Sequence, residues 1–255
     1  MLAFDQVYTY QFVLFMEEQA EMSAETIARL PDVVSRPVDA PRNLGLKLGK
    51  SQPEQSLVAL PTGISAAGLT WRSGFWRLAW SPARIDVHFD ARGHAEALES
   101  DVVPLTEARK RLTPNLVELP NVVGRINRLA LTVAGRATCS GRSQPSQIVA
   151  ATFFNDELVA AAQRAEMFDA SGRANHATAW DLGSAGEVPV NRVEAGTANW
   201  MLQNGVEQSS LTWQFDLNTH PQGEPKNFAG DSITGFFERA DTWIMQRLKA
   251  VQERA

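Results

Sequence analysis

Apolar residues at every second position predict several β-strands along the chain. Residues 5–16 place Tyr8, Tyr10, Phe12, Leu14 and Met16 on one face, and aromatic side chains favour strands. Residues 68–90 predict an antiparallel meander, because Ile85, Val87 and Phe89 alternate with Asp86, His88 and Asp90. Residues 123–133 and 178–182 read as further strands. Residues 191–217 predict a hairpin, since Asn204-Gly205 is a preferred turn pair.

Apolar residues spaced three and four apart predict the helices. Ser23 is the expected cap of a short helix that Pro31 would stop. A second helix carries Leu105, Ala108 and Leu112, and a third covers residues 146–168. The chain ends with an amphipathic helix from near Asp231. Its apolar stripe is Ile233, Phe236, Phe237, Ala240, Trp243, Ile244, Leu248 and Val251.

The order of these elements predicts an α+β fold, with one or more antiparallel sheets and helices packed on one face. Residues 1–119 and 120–255 each read as strand, helix, several strands and helix, and we expect the two α+β halves to form one compact unit. The string F-D-x-x-x-H recurs at residues 89–94 and 215–220. We therefore hypothesise two pseudo-repeats. In element order this arrangement resembles the TATA-binding-protein type of repeat, which implies a saddle-shaped sheet.

Composition indicates a globular protein. The 255 residues are 44% hydrophobic and 21% charged, which is wrong for a disordered chain, and the net charge of −5 lacks the basic excess typical of phosphate-binding proteins. The one cysteine, Cys139, cannot form an internal disulfide and fits a reducing compartment. We recognise neither a signal peptide nor an apolar run of about 18 residues. A cytoplasmic location with no membrane partner is the expectation.

The strongest candidate for chemistry is the set Asp86, His88, Asp90 and His94. Alternate strand residues point the same way, so these carboxylates and imidazoles are candidate ligands of a divalent metal. The alternative is that Asp86, His88 and Asp90 form the solvent side of a half-buried strand. A metal site here would indicate a hydrolase or nuclease.

Other catalytic signals are weaker. His220, with Asp216 and Asp231 nearby in the sequence, forms a comparable set, but His220 precedes Pro221 in a loop-like stretch. The sequence contains no H-E-x-x-H, C-x-x-C, G-x-S-x-G or phosphate-loop motif. We therefore assign no catalytic residues and no cofactor, and we expect a protein without enzymatic activity.

Tryptophans and arginines offer two further hypotheses. Seven tryptophans either fill the core or provide a binding surface. The two groups of interest are Trp71, Trp76 and Trp80 in the meander and Trp200 and Trp213 in the hairpin. Basic residues are either solvated loop charges or the lining of a nucleic-acid-binding saddle. They are Arg109, Lys110, Arg111, Arg125, Arg128, Arg136 and Arg142.

Two short segments carry a family resemblance. Residues 123–129, with Arg125-Ile126-Asn127, and the strand end Asp216-Leu217-Asn218-Thr219 before a closing helix resemble a sporadically distributed family of uncharacterised bacterial proteins. The resemblance implies no activity, but a patchy distribution is typical of accessory genes of defence and mobile systems. The leading hypothesis is a non-catalytic accessory protein that binds a protein partner or a second copy. The alternatives are a metal-dependent hydrolase or nuclease and a nucleic-acid-binding protein.

Overall fold

The computed structural model describes residues 6–17, 23–35, 53–59, 65–73, 76–90, 105–139, 144–154, 169–203, 206–220 and 226–253. Within these residues the chain forms nine strands. They are β1 (Gln6–Met16), β2 (Glu54–Ala59), β3 (Ser65–Ser73), β4 (Trp76–Ser81), β5 (Arg84–Asp90), β6 (Ile126–Cys139), β7 (Ser171–Asp181), β8 (Glu187–Gln203) and β9 (Val206–Thr219). The helices are α1 (Ala24–Ser35), α2 (Leu105–Leu116), α3 (Pro120–Val123), α4 (Gln144–Phe153) and α5 (Asp231–Glu253), and a 3₁₀ turn covers Gly183–Ala185.

All nine strands belong to one antiparallel sheet in the order β2-β3-β4-β5-β1-β6-β9-β8-β7. The central pair, β1 and β6, joins a strand from the start of the chain to one from its middle. Tyr10 lies opposite Phe89 of β5 on one side and Val133 of β6 on the other, and Val133 lies opposite Phe215 of β9. A continuous row of apolar residues therefore crosses the centre of the sheet.

The prediction of an α+β fold was wrong. It expected one or more sheets with helices packed on one face and two pseudo-repeats. The chain is sheet-dominated: one nine-stranded sheet outweighs the few helices of the described residues. Strand length is one reason, because β8 has 17 residues and β6 and β9 have 14 each. The other reason is the pairing of β1 with β6, which is invisible to local patterns because it joins segments far apart in sequence.

The two faces of the sheet differ in character. On the first, which we call the core face, Phe12 contacts Phe237 of α5 with ring centroids 5.2 Å apart, and Phe215 contacts Trp243 at 5.6 Å. Alternation then fixes the opposite face, which we call the polar face. It carries Gln11, Arg77, Asp86, His88, Arg128, Thr132 and Asp216.

Most of the predicted elements are present, with shifted boundaries. The Ser23 cap is confirmed, since the Thr26 backbone N–H donates to Ser23 Oγ at 3.1 Å, but Pro31 lies inside α1 and does not end it. The hairpin is confirmed by the pairing of β8 with β9, although its turn, residues 204–205, lies outside the described residues. The helix predicted over residues 146–168 is described only as α4, because residues 155–168 also lie outside.

Candidate functional site

Strand β5 brings three of the four candidate metal ligands to the polar face. Asp86, His88 and Asp90 occupy alternate positions, and their neighbours across β4 and β1 include Arg77 and Gln11, which both lie opposite His88. His94 lies outside the described residues. The polar face thus carries the titratable side chains of β5, as their alternation in the sequence predicted.

Asp86 is buried although its strand position belongs to the polar face; only 1% of the residue is exposed. Gln11 Nε2 donates a hydrogen bond to Asp86 Oδ1 at 2.5 Å, and Arg84 Nε lies 2.9 Å from Asp86 Oδ2. Burial raises the pKa of the Asp86 carboxyl, and the positive charges of Arg84 and Arg77 and the Gln11 hydrogen bond only partly oppose that effect. This carboxylate is therefore held by protein groups on both oxygens.

His88 is held by an arginine. Arg77 Nη2 lies 3.2 Å from His88 Nδ1, and because a guanidinium can only donate, Nδ1 is the acceptor in this contact. Two arginines thus sit beside Asp86 and His88, and positive charge at this place opposes a metal cation. Among the residues that the structure describes, no group of three or more His, Cys, Asp or Glu side chains is arranged to hold a metal ion. The metal hypothesis for Asp86, His88, Asp90 and His94 stays a prediction without support from this geometry.

The second candidate set is divided between different partners. Asp231 accepts from the Ser184 backbone N–H at 2.9 Å and from Ser184 Oγ at 2.6 Å, and these hydrogen bonds lower the pKa of its carboxyl. His220 donates its backbone N–H to the carbonyl oxygen of Pro189 at 2.8 Å. Asp216 lies on the polar face, where its charge favours the protonated form of Arg128. The three residues therefore contact different elements and do not form one site.

Three of the seven basic residues in the predicted cluster are engaged with carboxylates, and Arg142 lies outside the described residues. Arg109 is buried, with its Nε 2.9 Å from Asp241 Oδ2 and its Nη1 3.1 Å from Glu238 Oε1. Arg111 pairs with Glu107, and Arg125 Nε lies 3.0 Å from Glu17. These contacts neutralise charge that a phosphate backbone would need, so they weigh against a nucleic-acid surface at this place.

Arg128 has a different environment on the polar face. Its Nη2 donates to Asn218 Oδ1 at 3.0 Å, and its guanidinium lies 4.8 Å from the centroid of the Phe15 ring. Burial lowers the pKa of Arg128 against the opposing charge of Asp216. The side chain connects β6 to β1 and β9, which makes it a structural link across the centre of the sheet.

Most tryptophans belong to the core. Trp71, Trp76, Trp80 and Trp213 are buried, as the core interpretation expected. Trp213 also donates from Nε1 to Glu194 Oε1 at 2.9 Å, and Arg247 Nε of α5 lies 2.9 Å from the second oxygen of that buried carboxylate. This network was missed at the sequence level because the partners of Glu194, Trp213 and Arg247, lie 19 and 53 residues away in the sequence.

Two large apolar side chains of β8 are exposed instead. Trp200 is 36% exposed and Leu202 is 61% exposed. They occupy alternate positions near the end of the β8–β9 hairpin, so they share one face. We call residues 199–203 and 206–210 the distal hairpin. The register of β7 with β8 stops at Thr197, and within the described chain the residues of the distal hairpin in β8 pair only with β9.

Comparison with known proteins adds no relative. No family model matches the chain, and no curated protein matches it. The described helices include none that is both long and apolar enough to cross a membrane. The resemblance of residues 123–129 and 216–219 to a bacterial family accordingly stays a prediction.

Proposed function

We propose that this protein is a non-catalytic binding protein, an accessory subunit that docks on a partner protein through the distal hairpin. The observation that carries the proposal is the exposure of Trp200 and Leu202 on one face of β8, while the tryptophan of the neighbouring strand β9, Trp213, is buried. Exposed large apolar side chains at adjacent positions of one face favour an interface.

The chemistry of the distal hairpin suits a binding anchor. Trp200 lies opposite Ser209, and Leu202 lies opposite Glu207, so small and polar residues flank the apolar pair. Glu207 is exposed on the face of the apolar pair, whereas Asn199 and Gln208, which lies opposite Met201, are exposed on the other face. An exposed tryptophan beside polar neighbours is typical of an interface hot spot, where removal of the ring costs about 2 kcal/mol or more.

The assembly that this anchor would join is a second part of the proposal. The family resemblance, with its patchy distribution, favours a multi-protein complex of the bacterial defence type. A protein of this kind needs no active site, and polar groups of β5 are engaged with neighbouring side chains, as the contacts of Asp86 with Arg84 and of His88 with Arg77 of β4 illustrate.

The test is purification of the tagged full-length protein from its native host under mild conditions, followed by mass spectrometry. We expect a stoichiometric protein partner that is lost when Trp200→Ala and Leu202→Ser are combined. Met245→Ser is the matched control, because Met245 is the third exposed large apolar residue of the described chain and lies on α5. Binding should then be repeated with the purified partner, where the double variant should weaken the complex at least about thirtyfold.

Two outcomes would contradict the proposal. A partnerless protein, or a partner retained equally by the double variant and by the Met245→Ser control, would remove the role of the distal hairpin. A high ratio of absorbance at 260 nm to that at 280 nm would indicate bound nucleic acid and favour the saddle hypothesis. Stabilisation by a divalent ion that is lost in His88→Ala would favour the hydrolase or nuclease hypothesis.

A further inference from the structure

In the sheet that the described residues form, β7 is an edge strand that lacks the usual features of a protected edge. It has 11 residues, whereas β2 at the opposite edge has six. Its pairing with β8 runs from Ser171 to Asp181 without a register shift, and its sequence contains neither proline nor lysine. Edge strands that must stay unpaired are generally short, bulged, or marked by proline or lysine. Among the described residues no strand pairs with the outer side of β7.

The direction of the backbone groups of β7 follows from two hydrogen bonds at its ends. The Ala198 N–H donates to the Ala170 carbonyl at 2.8 Å, and the Leu182 N–H donates to the Gly186 carbonyl at 2.9 Å. Both bonds involve even-numbered residues beside β7, so by alternation the even positions bond to β8. The odd positions direct their N–H and C=O groups outward. Pro189, which lacks an N–H, lies opposite odd-numbered Ala179, in agreement with this assignment.

The outward positions also carry the exposed side chains. Every odd-numbered residue of the strand is exposed; these are Ser171, Arg173, Asn175, Ala177, Ala179 and Asp181. Within the described part of the chain, a row of backbone donors and acceptors that no strand pairs with therefore coincides with small or polar side chains that another strand can approach closely. This combination fits addition of a further strand to the sheet.

We infer that β7 pairs with β7 of a second copy of this chain, antiparallel, with Ala177 on the two-fold axis. In this register Arg173 of each copy lies opposite Asp181 of the other, which gives two cross-strand pairs of opposite charge. Asn175 lies opposite Ala179, and Ala177 lies opposite itself. The register joins odd positions to odd positions, as outward hydrogen bonding requires, and no like charges face each other.

Charge complementarity favours a second copy of β7 as the pairing strand, and it also favours this register. Moving the axis to His176 would leave Arg173 opposite Ala179 and Asp181 opposite Ser171, with no charge pair. The fit of Arg173 to Asp181 is self-complementary, as a two-fold interface demands. This inference is independent of the proposed function, because Trp200 and Leu202 lie in β8 beyond the end of β7.

The first test places single cysteines on the full-length protein at two matched alanines. In the inferred register the two copies of Ala177→Cys have Cα atoms about 5.5 Å apart, within reach of a short thiol crosslinker. The two copies of Ala179→Cys are four residues out of register, more than about 13 Å apart. We expect a crosslinked dimer from Ala177→Cys and none from Ala179→Cys. The unsubstituted protein, whose Cys139 is buried, is the blank.

The second test measures self-association by sedimentation velocity over a range of protein concentrations. Arg173→Asp alone and Asp181→Arg alone should each weaken the dimer about tenfold, because each places like charges opposite one another. The double variant Arg173→Asp/Asp181→Arg restores both charge pairs with the signs exchanged, and it should recover the dimer. Circular dichroism checks that each variant folds.

Three results would overturn the inference. These are a monomer at every concentration, equal crosslinking at positions 177 and 179, or a double variant as weak as the single ones. None of these three results would change whether the variant that combines Trp200→Ala and Leu202→Ser loses its partner protein. Failure of the β7 interface is therefore distinguishable from failure of the distal hairpin.

Discussion

A buried carboxylate on the polar face is the clearest feature at the scale of single residues. The alternation of β5 correctly placed Asp86 on the polar side, but its partners were not predictable. Gln11 comes from a strand 75 residues earlier, and burial depends on how Arg84 folds over the carboxylate. Periodicity gives the face of a side chain, whereas its burial depends on neighbours brought by tertiary structure.

The raised pKa of Asp86 has a consequence for stability. Because the folded state holds this proton to higher pH than the unfolded chain does, the free energy of unfolding falls as pH rises from the unfolded pKa through the folded pKa. Asp86→Asn keeps an acceptor for Gln11 and removes the buried charge. We expect its stability relative to the unsubstituted protein to increase as the pH rises above the unfolded-state pKa of about 4, measured by urea denaturation.

Arg84→Ala is the contrasting variant. It leaves the carboxylate buried without its ion-pair partner, which should lower the free energy of unfolding by about 3 kcal/mol at neutral pH. If Asp86→Asn loses more stability at neutral than at acid pH, the ionised form is the favoured one in the folded protein and our assignment is wrong.

At the scale of elements, two glycines let an aromatic pair lie flat on the sheet. Gly172 of β7 and Gly196 of β8 are directly opposite each other, and Phe153 stacks on Trp213 above them with ring centroids 5.4 Å apart. A Cβ at Gly196 would overlap the Trp213 ring, and one at Gly172 would overlap Phe153. The absence of side chains here is what brings α4 close to β7, β8 and β9.

Gly196→Ala should therefore destabilise the protein by about 1–3 kcal/mol, because the indole ring must move within a packed core. Gly235→Ala is the matched control. Its Cβ would meet only Leu182 Cδ2 at an ordinary 3.9 Å, and within α5 alanine stabilises a helix by about 0.5–1 kcal/mol relative to glycine. Thermal unfolding followed by circular dichroism measures both. Equal effects of the two substitutions on the unfolding temperature would show that the rings of Phe153 and Trp213 can move aside without loss of stability.

Sequence patterns predicted some elements more completely than others. The apolar stripe of α5 was predicted almost residue by residue, because a helix on a core repeats its buried positions regularly. For β7 only residues 178–182 were predicted, since the earlier residues include no large apolar side chain and their even positions are at most half-buried. A stretch of edge strand whose inner face holds no large apolar side chain carries little local signal. The same exposure makes β7 a candidate interface.

At the scale of the whole molecule, a strand ladder and a buried ion pair are prominent among the contacts that join the sequence halves 1–119 and 120–255. The β1–β6 ladder makes one sheet of their strands. The second link joins helices: Arg109 of α2 and Asp241 of α5 form a buried pair, and Thr106 Oγ1 donates to the other Asp241 oxygen at 2.9 Å. When two parts of a chain are joined by a continuous strand ladder and a buried ion pair, unfolding of one part destabilises the other. We therefore expect the full chain to unfold as one cooperative unit.

Removal of Arg109 tests that cooperativity. Arg109→Ala leaves Asp241 buried without its cation and should lower the free energy of unfolding by about 3 kcal/mol, whereas Glu238→Ala, at the exposed end of the same network, should cost less than about 1 kcal/mol. Urea unfolding followed by both far-ultraviolet circular dichroism and tryptophan fluorescence should give coincident curves that shift together in Arg109→Ala. Tryptophans lie in both halves, so separate transitions, or a shift in only one signal, would show that the halves unfold independently despite their common sheet.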